Sequence, residues 1–172
     1  MQERLKKIKM LLLDVDGILT DGRITYSSDG TETKSFDVKD GQGLKMIQRA
    51  GIEVGIITGR QSTIVEHRAE ELGIKILYQG VKDKLVPFRE ILEKYRLNEE
   101  EIAYVGDDIV DLPILLKVGF SATVADALLD VKNNVHYVAT LAGGRAAVRE
   151  ICDLILQESG RWDGVAAKYF QR

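Results

Sequence analysis

Asp14-Val15-Asp16-Gly17 closes an apolar run near the start of this 172-residue chain. In an extended strand, residues two apart share a face, so the two carboxylates can face one site together. Thr58-Gly59-Arg60 follows a second apolar run, Ile52–Ile57. Its hydroxyl, its glycine-loop N–H groups and its guanidinium together suit phosphate oxygens. Lys82-Asp83-Lys84 precedes an amphipathic segment, where a lysine adds to the positive end of a helix dipole. Gly106-Asp107-Asp108-x-x-Asp111 follows Ile102–Val105. Three carboxylates that close repel one another unless a cation or a lysine compensates them, and an oxygen-only set suits Mg²⁺ better than zinc. Taken singly, each group has a plainer reading: solvated acids, a strand-to-helix turn, surface charge, an acidic helix start. Their order, their placement after apolar runs and their complementary chemistry agree on a phosphate site with a divalent cation.

The elements that must position these groups alternate short apolar runs with amphipathic segments, the pattern of an α/β sandwich on a parallel sheet. Strands are expected at Ile8–Val15, Ile52–Ile57, Ile74–Leu77 and Ile102–Val105, with shorter ones at Phe120–Val124 and His136–Val138 near a sheet edge. In open sheets of this kind ligands bind beyond the carboxyl ends of the strands, where all four groups fall. Helices are expected from an Asp40 cap to Ala50, from a Thr63–Glu66 capping box through Leu72, after Asp83 with Pro87 in the first turn, and over Arg145–Leu156. Ile24–Tyr26 and Thr33–Phe36, flanking Asp29-Gly30, break the alternation as a β-hairpin. The end of the chain, Ser159–Arg172, lacks core periodicity and reads as a flexible tail.

Composition narrows the classes. Hydrophobic residues are 45% and charged residues 30% of the chain, the balance of a globular domain with a real core. The net charge of −3 is spread without a basic stripe, which argues against nucleic acid or an anionic membrane as partner. The apolar stretch Met10–Leu13 is too short for a membrane span or a signal-peptide core, so a cytoplasmic protein is expected. The single cysteine, Cys152, falls in an apolar helical pattern and reads as a small buried side chain.

The strand-end Asp-x-Asp, the Thr, the Lys and the Gly-Asp-Asp-x-x-Asp together resemble the four motifs of the haloacid dehalogenase superfamily of phosphohydrolases, over Ile8 to about Ala125. The resemblance implies a Rossmann-like three-layer sandwich with a central, mainly parallel sheet. It implies Asp14 as nucleophile forming an aspartyl-phosphate, and Asp16 as the acid and then the base. It also implies that Thr58 bonds a phosphoryl oxygen and that Lys84 neutralises charge. Mg²⁺ would be held by the Asp14 carboxylate, the Asp16 backbone carbonyl and Asp107, with Asp108 and Asp111 supporting the site. Only 34 residues lie between Asp16 and Gly51, enough for the hairpin and one helix but not for a cap domain; residues 1–172 therefore read as a single capless domain.

Asp16–Gly22, Phe36-Asp37-Val38-Lys39-Asp40-Gly41-x-Gly43, Ile57–Arg60 and Gly143-Gly144-Arg145 are similar to a capless subfamily that hydrolyses a phosphorylated eight-carbon acid sugar in lipopolysaccharide biosynthesis. Ala146 departs from it, standing where the subfamily often carries another glycine. This likeness implies an acidic phosphosugar substrate bound by Asp16, Asp37, Val38, Lys39, Asp40, Gly41, Lys45, Gly59, Arg60, Arg68 and Lys84. It also implies a homotetramer whose hairpins complete neighbouring pockets. A tail that folds over a neighbour's site as a lid fits the aromatic content of Ser159–Arg172. A nine-carbon acid sugar phosphate is the alternative substrate. A non-catalytic oligomerisation module, or a magnesium-binding sensor of acyl phosphate, is the alternative class.

Overall fold

The computed structural model describes residues 1–170. A short helix, α1 (Gln2–Lys6), leads into β1 (Met10–Leu13), after which β2 (Thr25–Tyr26) and β3 (Glu32–Thr33) form the hairpin. Then come α2 (Val38–Arg49), β4 (Glu53–Ile57), α3 (Thr63–Leu72), β5 (Ile76–Tyr78), α4 (Leu85–Tyr95) and β6 (Ile102–Val105). The chain continues through α5 (Leu112–Leu115), β7 (Phe120–Thr123), α6 (Leu129–Lys132), β8 (Tyr137–Val138), α7 (Ala147–Glu158) and α8 (Trp162–Ala166). Six strands pair in the order β5-β4-β1-β6-β7-β8, every pair parallel.

The three layers follow from the two-residue period of β1. Leu11 and Leu13 join Leu44, Ile47, Val65, Val148 and Ile151 on one face, where α2, α3 and α7 lie. Met10 and Leu12 join Phe88, Ile91, Ile114 and Leu115 on the other, under α4 and α5. Strands covered on both sides favour apolar residues on both faces, which is why β1 carries no polar alternation. The order reverses beside β1: the chain builds outward through β4 and β5, then returns to place β6 on the opposite side of β1. That switch point opens a crevice at the strands' carboxyl ends.

Several boundaries move for local reasons. The hairpin pairs only Thr25 with Thr33 and Tyr26 with Glu32, shorter than the expected runs. Asp37, not Asp40, caps α2, its Oδ1 accepting from the Lys39 N–H at 2.6 Å. Asp40 instead lies buried in the first turn, and its Oδ1 accepts from the Arg149 N–H at 2.8 Å, tying α2 to the start of α7. Burial pushes its carboxyl up to about 6. The expected Thr63–Glu66 box is absent: Ser62 occupies the cap position of α3, and Glu66 takes its hydrogen bond from Gln79. The segment read as a flexible tail carries α8, whose Val165 and Ala166 are buried and whose Trp162 packs on the core. Arg161 donates to the Ile8 carbonyl at 3.2 Å. Cutting the chain at Gly160 therefore strips core contacts as well as any lid. Gln171 and Arg172 lie outside the described residues. Among the described residues no helix is long and apolar enough to cross a membrane.

Ala146, at the cap of α7, has φ of 71°, a left-handed conformation that strains any residue with a Cβ. The glycine that is absent here would relieve that strain. Ala146→Gly should therefore stabilise the protein by about 0.5–1 kcal/mol, the relieved strain less the added freedom of the unfolded chain. A urea midpoint that stays put or falls would refute this.

Candidate active site

β1 delivers Asp14 to the switch point, with its N–H still paired to the Val105 carbonyl at 3.0 Å. The next loop is closed by the N–H groups of Ile18, Leu19 and Thr20, which all donate to the Val15 carbonyl. Gly17 sits in it at φ +89°, and a Cβ there would lie 2.0 Å from Asp107 Oδ2, so glycine lets this loop pass the acid just beyond β6 without strain. From the far end of the chain, Gly143 and Gly144 press on the same loop. A Cβ on Gly143 would meet the Gly17 carbonyl oxygen at 1.8 Å, and the Gly144 N–H donates to the Ile18 carbonyl at 3.0 Å.

Asp14, Asp16, Thr58, Gly59, Arg60, Lys84 and Asp107 line one cleft of about 250 Å³, joined by Val81, Lys82, Asp108 and Val110. At its floor, the Lys84 ammonium stands 2.7 Å from Asp14 Oδ2 and 2.6 Å from Asp111 Oδ1. Asp14 Oδ1 accepts from the Val15 N–H at 2.7 Å, so the nucleophile candidate is fixed from both sides. Burial works against the charged lysine, but Asp14 and Asp111 outweigh it and hold the Lys84 pKa above its ordinary value.

Asp111 carries a full set of partners. Oδ1 accepts from Lys84 and from the Tyr104 hydroxyl at 2.6 Å, and Oδ2 accepts from the N–H groups of Asp107 and Asp108 at 3.1 and 3.3 Å. Carboxylate oxygens of Asp14, Asp107 and Asp111 lie within 4.8 Å of one another. Because the lone pairs of Asp111 are spent, it anchors Lys84, and Asp14 and Asp107 are left as the donors for a cation. Asp108 caps the turn that follows, accepting from Ile109 at 2.6 Å.

The charge balance fits a divalent cation. Three carboxylates share one ammonium, and Asp107 is pushed up to about 7 by burial and by Asp14, Asp111 and Asp108. Its folded pKa lies above the ordinary 3.8, so between those values the folded protein keeps a proton that the unfolded chain has released. The stability from this group is fullest below the unfolded value and is lost as pH rises to about 7. A bound cation displaces that proton. The rise in melting temperature with Mg²⁺ should therefore grow from about pH 6 to about pH 8. Equal calorimetric shifts at both would rule out carboxylate crowding as the cause.

Other expected residues fall elsewhere in the chain. Val38 is exposed, and Lys39 lines a separate groove with Tyr137, Ala146 and Arg149. Arg68 donates to the Asp37 carbonyl at 3.2 Å, pairs with Glu71 and stacks on Phe36, while Gly41 packs against its guanidinium. Asp40 faces α7, and Lys45 is half-buried on α2 outside the cleft. Sequence reasoning missed Tyr104, whose buried hydroxyl looks like any strand tyrosine, and Lys34, which carries no periodic signal. The Lys34 ammonium is paired with Asp16.

The haloacid dehalogenase-like hydrolase family matches over residues 31–119. The chain is 48% identical over 158 residues to the 3-deoxy-D-manno-octulosonate 8-phosphate phosphatase KdsC of Escherichia coli K12, covering 92% of this chain and 84% of that protein. The crystal structure of 3-deoxy-D-manno-octulosonate 8-phosphate phosphatase from Moraxella catarrhalis, in complex with magnesium ion, phosphate ion and KDO, superposes with a TM-score of 0.95 at 42% identity. It covers 98% of this chain and 97% of that one. A probable YrbI family phosphatase from Pseudomonas syringae gives 0.97 at 43%, covering 99% and 97%. Motifs, fold and relatives agree: this chain belongs to the haloacid dehalogenase-like hydrolases.

Proposed function

We propose that this protein hydrolyses 3-deoxy-D-manno-octulosonate 8-phosphate to the free acid sugar and phosphate. The observation that carries the reading is the buried Asp14–Lys84–Asp111 array, opening on a cleft lined by Asp16, Thr58 and Arg60. It is supported by the high identity to phosphatases named for that substrate. The nucleophile is Asp14, whose carboxylate attacks phosphorus as the bond to the sugar oxygen breaks and Asp16 gives that oxygen a proton. Water then attacks the aspartyl-phosphate, its proton passes to Asp16, the bond to Asp14 breaks and phosphate leaves. Thr58 and the Gly59 N–H hold phosphoryl oxygens, and Lys84 orients Asp14 and opposes the burial that pushes its carboxyl pKa up. Mg²⁺, held by the carboxylates of Asp14 and Asp107 and by the Asp16 carbonyl, would screen the two anions from each other and stabilise charge on the phosphoryl group.

In this reading residues 1–172 act as one capless, cytoplasmic domain that assembles as a homotetramer. Lys39, Lys45 and Arg68 lie away from their own cleft, and the hairpin presents exposed Ile24 and Tyr26. An isolated two-stranded ribbon is marginal in water, so a neighbouring copy is the natural place for it to pack and complete a pocket.

The test is phosphate release, with and without Mg²⁺, from the eight-carbon substrate, a nine-carbon acid sugar phosphate and hexose phosphates. Selectivity for the first is expected. Preference for the nine-carbon sugar keeps the chemistry and changes the pathway; no metal-dependent release from any of them refutes the enzyme. Light scattering tests the assembly, and a fully active monomer would exclude the tetramer.

A further inference from the structure

Asp16 differs from the other acids of the cleft in how it is held. Asp14 is fixed by the Val15 N–H and Lys84, and Asp111 by four donors. Asp16 lies beyond the end of β1, with its side chain 21% exposed, and among the described residues cations alone restrain its carboxylate. One is Arg60, whose Nε stands 3.8 Å from Asp16 Oδ2. The other is Lys34, which pairs with Asp16 Oδ1 and lies 3.3 Å from Glu32 Oε1.

Lys34 comes from the hairpin. Its backbone is accessible while its side chain is fully covered, a costly placement for an ammonium unless anions meet it. Glu32, two residues earlier and on the same face, meets it and also lies 3.8 Å from Arg60. The Tyr26 hydroxyl on the paired strand accepts from Arg60 at 3.0 Å. Two cations and two carboxyl groups thus form a network that reaches from the hairpin to the acid–base residue.

We propose that Lys34 is a positioning residue: with Arg60 it sets the direction in which the Asp16 carboxyl points, so that the hairpin orients acid catalysis within its own subunit. This rests on the assignment of Asp16 above. When the phosphorus–oxygen bond breaks, a sugar alkoxide needs the proton of Asp16. A nitrophenolate, a far weaker base, leaves without it. Misdirecting Asp16 therefore slows sugar phosphates more than aryl phosphates, whereas general damage to the site slows both alike.

The experiment measures kcat/KM, which reports phosphoryl transfer to Asp14, for the octulosonate phosphate and for p-nitrophenyl phosphate. In Lys34→Met the ratio between the two substrates is expected to shift against the sugar by about tenfold or more, within the range that a general acid supplies. Lys34→Arg should restore most of it. Asp16→Ala is the reference. If it shifts the ratio and Lys34→Met and Lys34→Gln do not, Lys34 has no positioning role and the acid assignment survives. If both lysine variants lose both substrates equally, the role is merely structural and the proposal is overturned. If Asp16→Ala itself leaves the ratio unchanged, the acid assignment falls, and this inference falls with it.

Discussion

Asp14→Asn should release phosphate about four orders of magnitude more slowly than the parent, or not at all. The amide retains the shape of the side chain and an oxygen to accept from the Val15 N–H, which bonds Asp14 at 2.7 Å, so the strand end is preserved. What disappears is the nucleophile, because an amide oxygen has neither the charge nor the basicity to displace an alkoxide from phosphorus. Circular dichroism should match the parent, and a short pulse of labelled substrate should leave no acid-stable label on the variant. Activity within tenfold of the parent would refute the covalent route and leave Asp16 as the carboxylate to examine.

The second large effect is on stability. Lys84→Met removes the one ammonium that, among the described residues, bonds Asp14 and Asp111, both buried. Carboxylates left in a poorly hydrated floor cost far more than the pair contributed, so about 3–5 kcal/mol of folding stability should be lost in metal-free buffer. Part of that loss should return with Mg²⁺, since the cation meets the same excess of negative charge. Denaturant titrations with and without the metal check both points. A variant as stable as the parent without metal would mean that water reaches these acids freely. Turnover should fall as well, because Asp14 would lose the partner that orients it.

The centre of the sheet was legible because β1 and β6 are uninterrupted apolar runs; Ile102–Val105 is reproduced to the residue. Ile8–Val15 overshoots β1 because burial continues past the last ladder pair: Ile8 and Val15 have no exposed surface yet lie outside the strand. The groups at the strand ends converge because register places Leu13 beside both Ile56 and Val105, so residues just beyond share one edge. Helix starts were less legible. Asp37 and Asp40 are both good caps by type, and only the packing of α2 on α7 decides that Asp40 is spent on Arg149. Lys34 escaped for a related reason, since a hairpin lysine is ordinarily solvated and only the fold brings it to Asp16. The shared partner of Lys84 and Tyr104 was hidden too, because the sequence cannot say which of three acids turns inward.

The contact of Gly143 and Gly144 with the loop after Asp16 bears on the order in which the enzyme comes into being. Synthesis runs from the amino end, and every acidic residue of the cleft has been made once Asp111 has been added. The loop that carries Asp16 still lacks its backing at that stage, since the Gly144 N–H that bonds Ile18 arrives more than thirty residues later. Asp40 likewise waits for the Arg149 N–H. A nascent chain that has emerged through β6 and α5 therefore holds the ingredients of a phosphatase without the geometry of one. Competence should arrive late and abruptly, when the glycine pair leaves the ribosome and seats against the first loop of the sheet.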